Sequence, residues 1–302
     1  MLLGVDTLHL TDSELDVPRP RVLVSKSESS RPPILSHSVS IESLAASAAE
    51  VVEGERIEPL DVNSNREVDE IVRGLLPHFE GRETEQNWMP REKAILTLRR
   101  LTRGNAPHLY TQHYMAAIKS LLDGILKVVN SLRTTLSTCG CLLIQDMAKI
   151  CGSGIDHLLD ILMQNLIKLC AGMKKISAQN GNTTVDILIG SISYNPRILQ
   201  HLWLACQDKN VQPRLYTTGW LKTLINKYAR HRSSIEHSGG LELIEKCIKK
   251  GLADPNPGVR ESMRGTFWTF FGLWPDRATE YVQSFISYPP HPVPYANCDF
   301  AV

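Results

Sequence analysis

A basic residue recurs at the start of the second helix in five successive helical hairpins, at Arg91, Arg133, Lys175, Arg214 and Arg260, spaced by 42, 42, 39 and 46 residues. Self-similarity at roughly 40–47 residues is the mark of stacked helix pairs. No such pair can bury its own apolar face alone, so the units must stack into one continuous core. Equivalent positions then stand side by side, and five cations scattered in sequence are expected to line one edge. That edge suits an acidic protein surface better than a small substrate.

The helices are legible as apolar stripes. In 115–129, Ile118, Leu121, Leu122, Ile125, Val128 and Val129 follow the i, i+3, i+4, i+7 pattern of one buried face. Leu158, Leu159, Leu162, Leu166 and Leu169 repeat it after Ser153-Gly154, and Leu241, Ile244, Ile248 and Leu252 do so before the breaker run ADPNPG. Pairing gives HEAT-type hairpins: 66–80 with 89–103, 107–130 with 133–151, 155–170 with 174–192, 195–207 with 212–230, and 239–252 with 257–273. A sixth begins at Pro275 and stops near Tyr288, in PPHPVP. Alternating strand patterns are absent. Asn180-Gly181 falls within a helical stretch and is expected to weaken or bend it. The expected fold is an all-α HEAT-repeat solenoid of about six hairpins, the last incomplete. It would span 66–288, between a disordered Ser-rich, acidic leader (1–65) and a Pro-rich disordered tail (289–302).

Charge divides the same way. The chain carries 33 basic and 32 acidic side chains. Residues 1–65 hold five basic against eleven acidic, a net of −6, which leaves +7 for the remainder. That balance is too weak to imply nucleic acid but permits an acidic partner. Segment 25–50 is rich in Ser, Ala and Pro, too poor in apolar surface to offset its ordering entropy. Its serines are candidates for phosphorylation, and a short helix near 40–54 is the one element it could form. Seven cysteines without regular spacing argue against a disulfide framework and for a reducing compartment. Neither a membrane span nor a secretory signal is present in the sequence, so a soluble, cytoplasmic protein is expected.

Enzyme signatures are missing: no phosphate-binding loop, no GxGxxG after a strand, no HExxH and no GxSxG. No cofactor or metal is expected. Gly152-Ser153-Gly154 reads as an interhelix turn, Cys139 and Cys141 as small apolar residues within a helix, and His231 and His237 as solvated positions at a helix end. The informative residues lie in the turns within each hairpin. The first holds Trp88, Pro90 and Arg91, and the second Arg133. Lys174 and Lys175 occupy the third, Lys209 and Arg214 the fourth, and Arg260 and Arg264 the fifth. Trp88 is either a staple packed into the core or an exposed aromatic anchor among cations, a combination enriched in binding hot spots. The other tryptophans, Trp203, Trp220, Trp268 and Trp274, fall in amphipathic helices and are expected in the core.

The segments NWMPREKAILTLRRL (87–101), SLRTT (131–135), KKISAQNG (174–181), KNVQPRLY (209–216) and IKKGLADPNPGVRESMRGTFWTFF (248–271) carry a resemblance. In order and spacing they resemble the TOG domains of the cytoplasmic linker-associated proteins (CLASPs), including their fungal forms, over about 66–286. The resemblance implies a flat paddle of six HEAT repeats whose loop edge contacts αβ-tubulin. Trp88 would then be the apolar anchor, and Arg91, Arg133, Lys174, Lys175, Lys209, Arg214, Arg260 and Arg264 would pair with tubulin acids or carbonyls. It further implies a non-enzymatic protein that stabilises microtubules by suppressing catastrophe and promoting rescue. Such proteins act at spindles and kinetochores, with plus-end or kinetochore proteins as further partners, and in a closed mitosis within the nucleus. Family members carry several such domains and a Ser/Arg-rich region. This sequence shows one domain, an acidic leader without an S-x-I-P motif, and a sixth hairpin cut short by Pro289, Pro290, Pro292 and Pro294. A fragment or short paralogue is therefore expected. The alternative function is a HEAT-type adaptor binding another protein through its helical face. Nucleic-acid binding is disfavoured because exposed aromatics to stack bases are few.

Overall fold

In the computed structural model, residues 57–279 are described. The leader over 1–56, the helix considered near 40–54, the remainder of the sixth hairpin and the tail lie outside them. Twelve α-helices lie complete among the described residues: α1 (Asn65–Leu75), α2 (Trp88–Arg103), α3 (Ala106–Leu109), α4 (Thr111–Val129), α5 (Thr134–Cys151) and α6 (Leu159–Cys170) form the first half. The second half comprises α7 (Lys175–Ser191), α8 (Pro196–Ala205), α9 (Val211–Lys227), α10 (Arg232–His237), α11 (Gly240–Leu252) and α12 (Pro257–Leu273). No strand occurs among the described residues. Residues 275–279 begin a further helix.

Successive long helices pack as pairs, α4 with α5, α6 with α7, α8 with α9 and α11 with α12, while α1 packs on α4 and α2 on α5. First helices stack on first helices and second on second, so the repeats form two helical layers. Asparagine caps set several starts. Asn195, Asn210 and Asn256 accept hydrogen bonds from the second-residue N–H of α8, α9 and α12, and Pro196 and Pro257 supply a first turn that needs no donor.

Between the layers runs a single apolar cluster, from Val68 and Val72 of α1 to Phe267 and Phe270 of α12. The stripes read from sequence face it: Ile118, Leu121, Ile125, Val128 and Val129 of α4 are buried, as are Leu159, Leu162 and Leu166 of α6. Cys141 is buried and Cys139 half-buried, neither in a disulfide. Burial stabilises each such aliphatic side chain by roughly 1.5–3 kcal/mol.

Two expectations need correction. Helix α7 runs unbroken through Asn180-Gly181. A Cβ at Gly181 would meet Cys170 Sγ at 3.0 Å and Leu166 O at 3.3 Å, while Asn180 Nδ2 donates to Thr138 Oγ1 at 2.7 Å. The glycine lets α6 approach α7, and the asparagine ties α7 to α5. Trp268 is not core but 49% exposed. Phe267 and Phe270 take the inward face of α12, and Trp268 stacks edge-on against Phe267 and Phe271 at 5.4 and 5.6 Å. Trp220 and Trp274 are buried, and Trp203 packs half-buried against the cluster.

Candidate protein-binding edge

The turns within the hairpins lie at one end of the stacked pairs, and each is bonded to the next. Arg133 pairs back to Glu83 at 3.2 Å and to Glu85, linking turns one and two. Lys174 donates from Nζ to the Leu132 carbonyl, linking two and three. Asn210 Nδ2 donates to Ala171 O at 2.8 Å, linking three and four. Arg214 reaches the Asp254 carboxylate at 2.7 and 3.1 Å, linking four and five. The edge is a laced row rather than five independent loops.

Three of the periodic arginines serve this construction directly. Arg91 is 2% exposed, and its Nη2 donates to Glu80 O at 2.9 Å and Gly81 O at 3.0 Å. Gly81 adopts φ +66, a left-handed turn that presents its carbonyl inward. Arg214 repeats the clasp on Asp208 O and Lys209 O at 3.0 and 3.1 Å, and Arg260 repeats it on Asp254 O and Pro255 O at 2.7 and 2.9 Å. Each sits in the first turn of its helix and folds back to satisfy carbonyls of its own turn. The planar fork of a guanidinium can bridge two carbonyls where an ammonium cannot. Arg91 therefore does not line an exposed edge, because its guanidinium is spent inside the turn; Arg214 follows the same rule with its side chain 11% exposed.

Electrostatics agree. The hydrogen bond that Arg214 donates to Asp254, with the charge of that carboxylate, raises the Arg214 pKa above the ordinary guanidinium value against the opposing effect of burial. Burial pushes the Asp254 carboxyl up, but Arg214 and the Asn256 N–H outweigh it and leave it below the usual carboxylate range. Trp88 is half-buried against the core cluster, and the Arg133 guanidinium lies 5.2 Å from its ring centroid. Its indole thus acts as a staple with a cation on its outer face.

Of the cations singled out in the sequence, only some face solvent. Lys174, Lys175 and Lys209 are exposed, and Arg264 is half-exposed beside Glu261. Among them stand large apolar side chains: Leu132 is 80% exposed, Ile176 62%, Met173 fully, and Met89 and Val211 substantially. Four successive turns therefore carry an apolar tip, densest where Leu132, Met173 and Ile176 flank Lys174 and Lys175. Spacing rules did not find these residues. The signal available was an apolar side chain in a turn otherwise built of polar residues, as in SLRTT and GMKKIS. Among the described residues no group of His, Cys, Asp and Glu is placed to hold a metal, and no helix is long and apolar enough to cross a membrane. Chemically, the edge can make apolar contacts bordered by ammonium groups.

The family model described as "CLASP N terminal" matches residues 68–287. The chain belongs to that family. Among CLASP relatives, Protein STU1 of Coccidioides immitis is 65% identical over 250 residues, covering 83% of this chain and 20% of the relative. Protein stu1 of Aspergillus fumigatus is 60% identical over 269 residues, covering 88% of this chain and 20% of the relative. The chain thus spans about a fifth of the length of these curated CLASP relatives. Two solved structures share the fold at a TM-score of 0.50: the MAST/Orbit N-terminal domain, at 14% identity over 77% of this chain and 92% of that one, and a TOG domain of C. elegans Zyg9, at 10% identity over 82% and 93%. The CLASP N-terminal fold here is an all-α solenoid of the TOG type, as the helical period and the quoted segments lead one to expect.

Proposed function

We propose that this chain is a non-enzymatic αβ-tubulin-binding module that acts through its intra-repeat edge. The observation that carries the proposal is the run of exposed Leu132, Met173 and Ile176 beside Lys174 and Lys175, on a domain of the CLASP family. Apolar tips supply area that gains by leaving water, and the lysines, with Lys209, Arg264 and Arg133, match an acidic surface. Trp88 supports Arg133 from beneath, while Arg91, Arg214 and Arg260 hold the turns in shape. Exposed ion pairs contribute only about 0–1 kcal/mol each, so affinity comes from several contacts across successive turns. The module, taken as 66–288, would stabilise microtubules by suppressing catastrophe and promoting rescue, in the cytoplasm and at the spindle. Plus-end or kinetochore proteins would be further partners.

The test is co-sedimentation of the purified chain with microtubules. A Leu132→Asp, Lys175→Glu, Ile176→Asp triple variant should lose binding while keeping its circular dichroism and thermal midpoint. Equal binding by the folded triple variant would sink the edge reading and favour an adaptor that uses a helical face.

A further inference from the structure

Both exposed methionines among the described residues stand on this edge. Met173 is fully exposed and Met89 about half exposed, whereas Met147, Met163 and Met263 are buried and Met115 packs half-buried against the core. Met173 sits in the third turn, next to Lys174, whose ammonium holds the Leu132 carbonyl of the second. The most exposed thioether among the described residues thus lies in the turn just before exposed Ile176 and bonded to the turn of exposed Leu132.

We infer that Met173, with Met89 as a slower second site, is an oxidation site at which peroxide releases the edge from its partner. This rests on the partner-binding reading of that edge. A thioether is soft and apolar, and the sulfoxide is polar and chiral, so one added oxygen turns a contact residue into one that needs hydration. In the step, a sulfur lone pair attacks one oxygen of hydrogen peroxide, a sulfur–oxygen bond forms and the oxygen–oxygen bond breaks. The departing hydroxide takes the proton of the new hydroxyl and leaves as water. Sulfur is oxidised by two electrons and peroxide is reduced by two. Four of the thiols compete poorly. Burial pushes Cys141 and the half-buried Cys151 up to about 11 and raises Cys170, while a hydrogen bond with Cys206 and burial raise Cys247, so these four offer little thiolate at neutral pH.

The experiment treats the full chain with hydrogen peroxide, removes the excess with catalase, maps oxidation by peptide mass spectrometry and measures microtubule co-sedimentation. Repair by the two methionine sulfoxide reductases, one for each epimer, follows. Met173 should gain oxygen before any buried methionine, affinity should fall about fivefold, and the reductases should restore it. A Met173→Leu chain, compared with its own untreated sample, should keep its affinity after peroxide. Equal binding before and after oxidation of Met173, or equal loss in the Met173→Leu chain, overturns the inference. An untreated chain that does not bind overturns the edge reading instead, and this inference with it.

Discussion

Arg214 and Asp254 meet across the gap between the fourth and fifth turns, Nε to Oδ2 at 2.7 Å and Nη2 to Oδ1 at 3.1 Å, with the carboxylate almost wholly buried. The same guanidinium also clasps Asp208 O and Lys209 O, and Asp254 also accepts the Asn256 N–H at 2.8 Å. One pair thus closes two turns and starts α12. Removing the arginine leaves a buried, uncompensated carboxylate, a change that costs about 3–5 kcal/mol. Arg214→Ala should lower the urea midpoint accordingly. Arg214→Lys should recover only part of the loss, because an ammonium cannot bridge the carboxylate and the carbonyls together. Full recovery with lysine would mean that charge alone matters at this position.

Acid should unlock the same pair. The Asp254 carboxyl is held below its ordinary range in the folded chain, so its contribution is complete above the unfolded value of about 3.9 and is lost as pH falls through the lower folded value. Asp160, lowered by the hydrogen bond from His201 and by Arg197 in spite of a small burial effect, adds in the same direction but is more exposed and counts for less. Unfolding midpoints measured from pH 6 down to pH 3 should fall more steeply for the unmodified chain than for Asp254→Asn. Parallel curves would remove Asp254 from the acid response.

Glycines in these helices should divide by what surrounds them. At Gly140 a Cβ would lie 2.9 Å from Val129 N and 2.9 Å from Val129 Cγ2, so alanine must push α5 away from α4. Gly140→Ala should destabilise by about 1–3 kcal/mol despite the better helix propensity of alanine. At Gly219, mid-helix in α9, no heavy atom beyond its chain neighbours and the local helix backbone lies within 4 Å of the added carbon among the described residues. Gly219→Ala should therefore stabilise by about 0.5–1 kcal/mol. Thermal midpoints of the two variants should move in opposite directions, and a common direction contradicts the packing account.

The hairpins were legible because burial of a stripe is what a helical sequence records directly. Leu159, Leu162 and Leu166 declare their face without any knowledge of what covers it. The fate of a turn cation is not recorded that way. Arg91 is consumed by carbonyls at Glu80 and Gly81, eleven and ten residues upstream, where Gly81 takes a left-handed turn. The period of basic residues was real, but it registered a repeated clasp as much as a binding surface. Trp268 shows a second limit. Phe267, Trp268, Phe270 and Phe271 crowd one helix, and which of them turns outward depends on neighbours that periodicity does not name. Leu132 and Met173 escaped notice because an apolar residue in a short turn carries no period at all, and Ile176 because it stands in the first turn of α7, off its buried face.

The division between clasp and contact yields a final expectation that separates folding from binding. Arg91 is buried, two bonds of its guanidinium are spent on the first turn, and nothing of it is available to a partner. Arg91→Met keeps the aliphatic stem but removes the donor to two carbonyls whose residues are exposed, so water takes up part of the loss and the cost is about 1–3 kcal/mol in all. Its thermal midpoint should drop while its microtubule affinity, measured well below that midpoint, stays close to that of the unmodified chain. Lys175→Glu changes an exposed side chain with no side-chain hydrogen bond among the described residues, so its stability should shift by no more than about 0.5 kcal/mol. Its affinity should fall, most clearly at low salt, where an ammonium facing an acidic surface is least screened. The two variants thus cross: one loses stability and keeps binding, the other keeps stability and loses binding. If Arg91→Met also lost binding while still folded, the first turn would have to act on the partner through Trp88 and Arg133, which lean on one another at 5.2 Å.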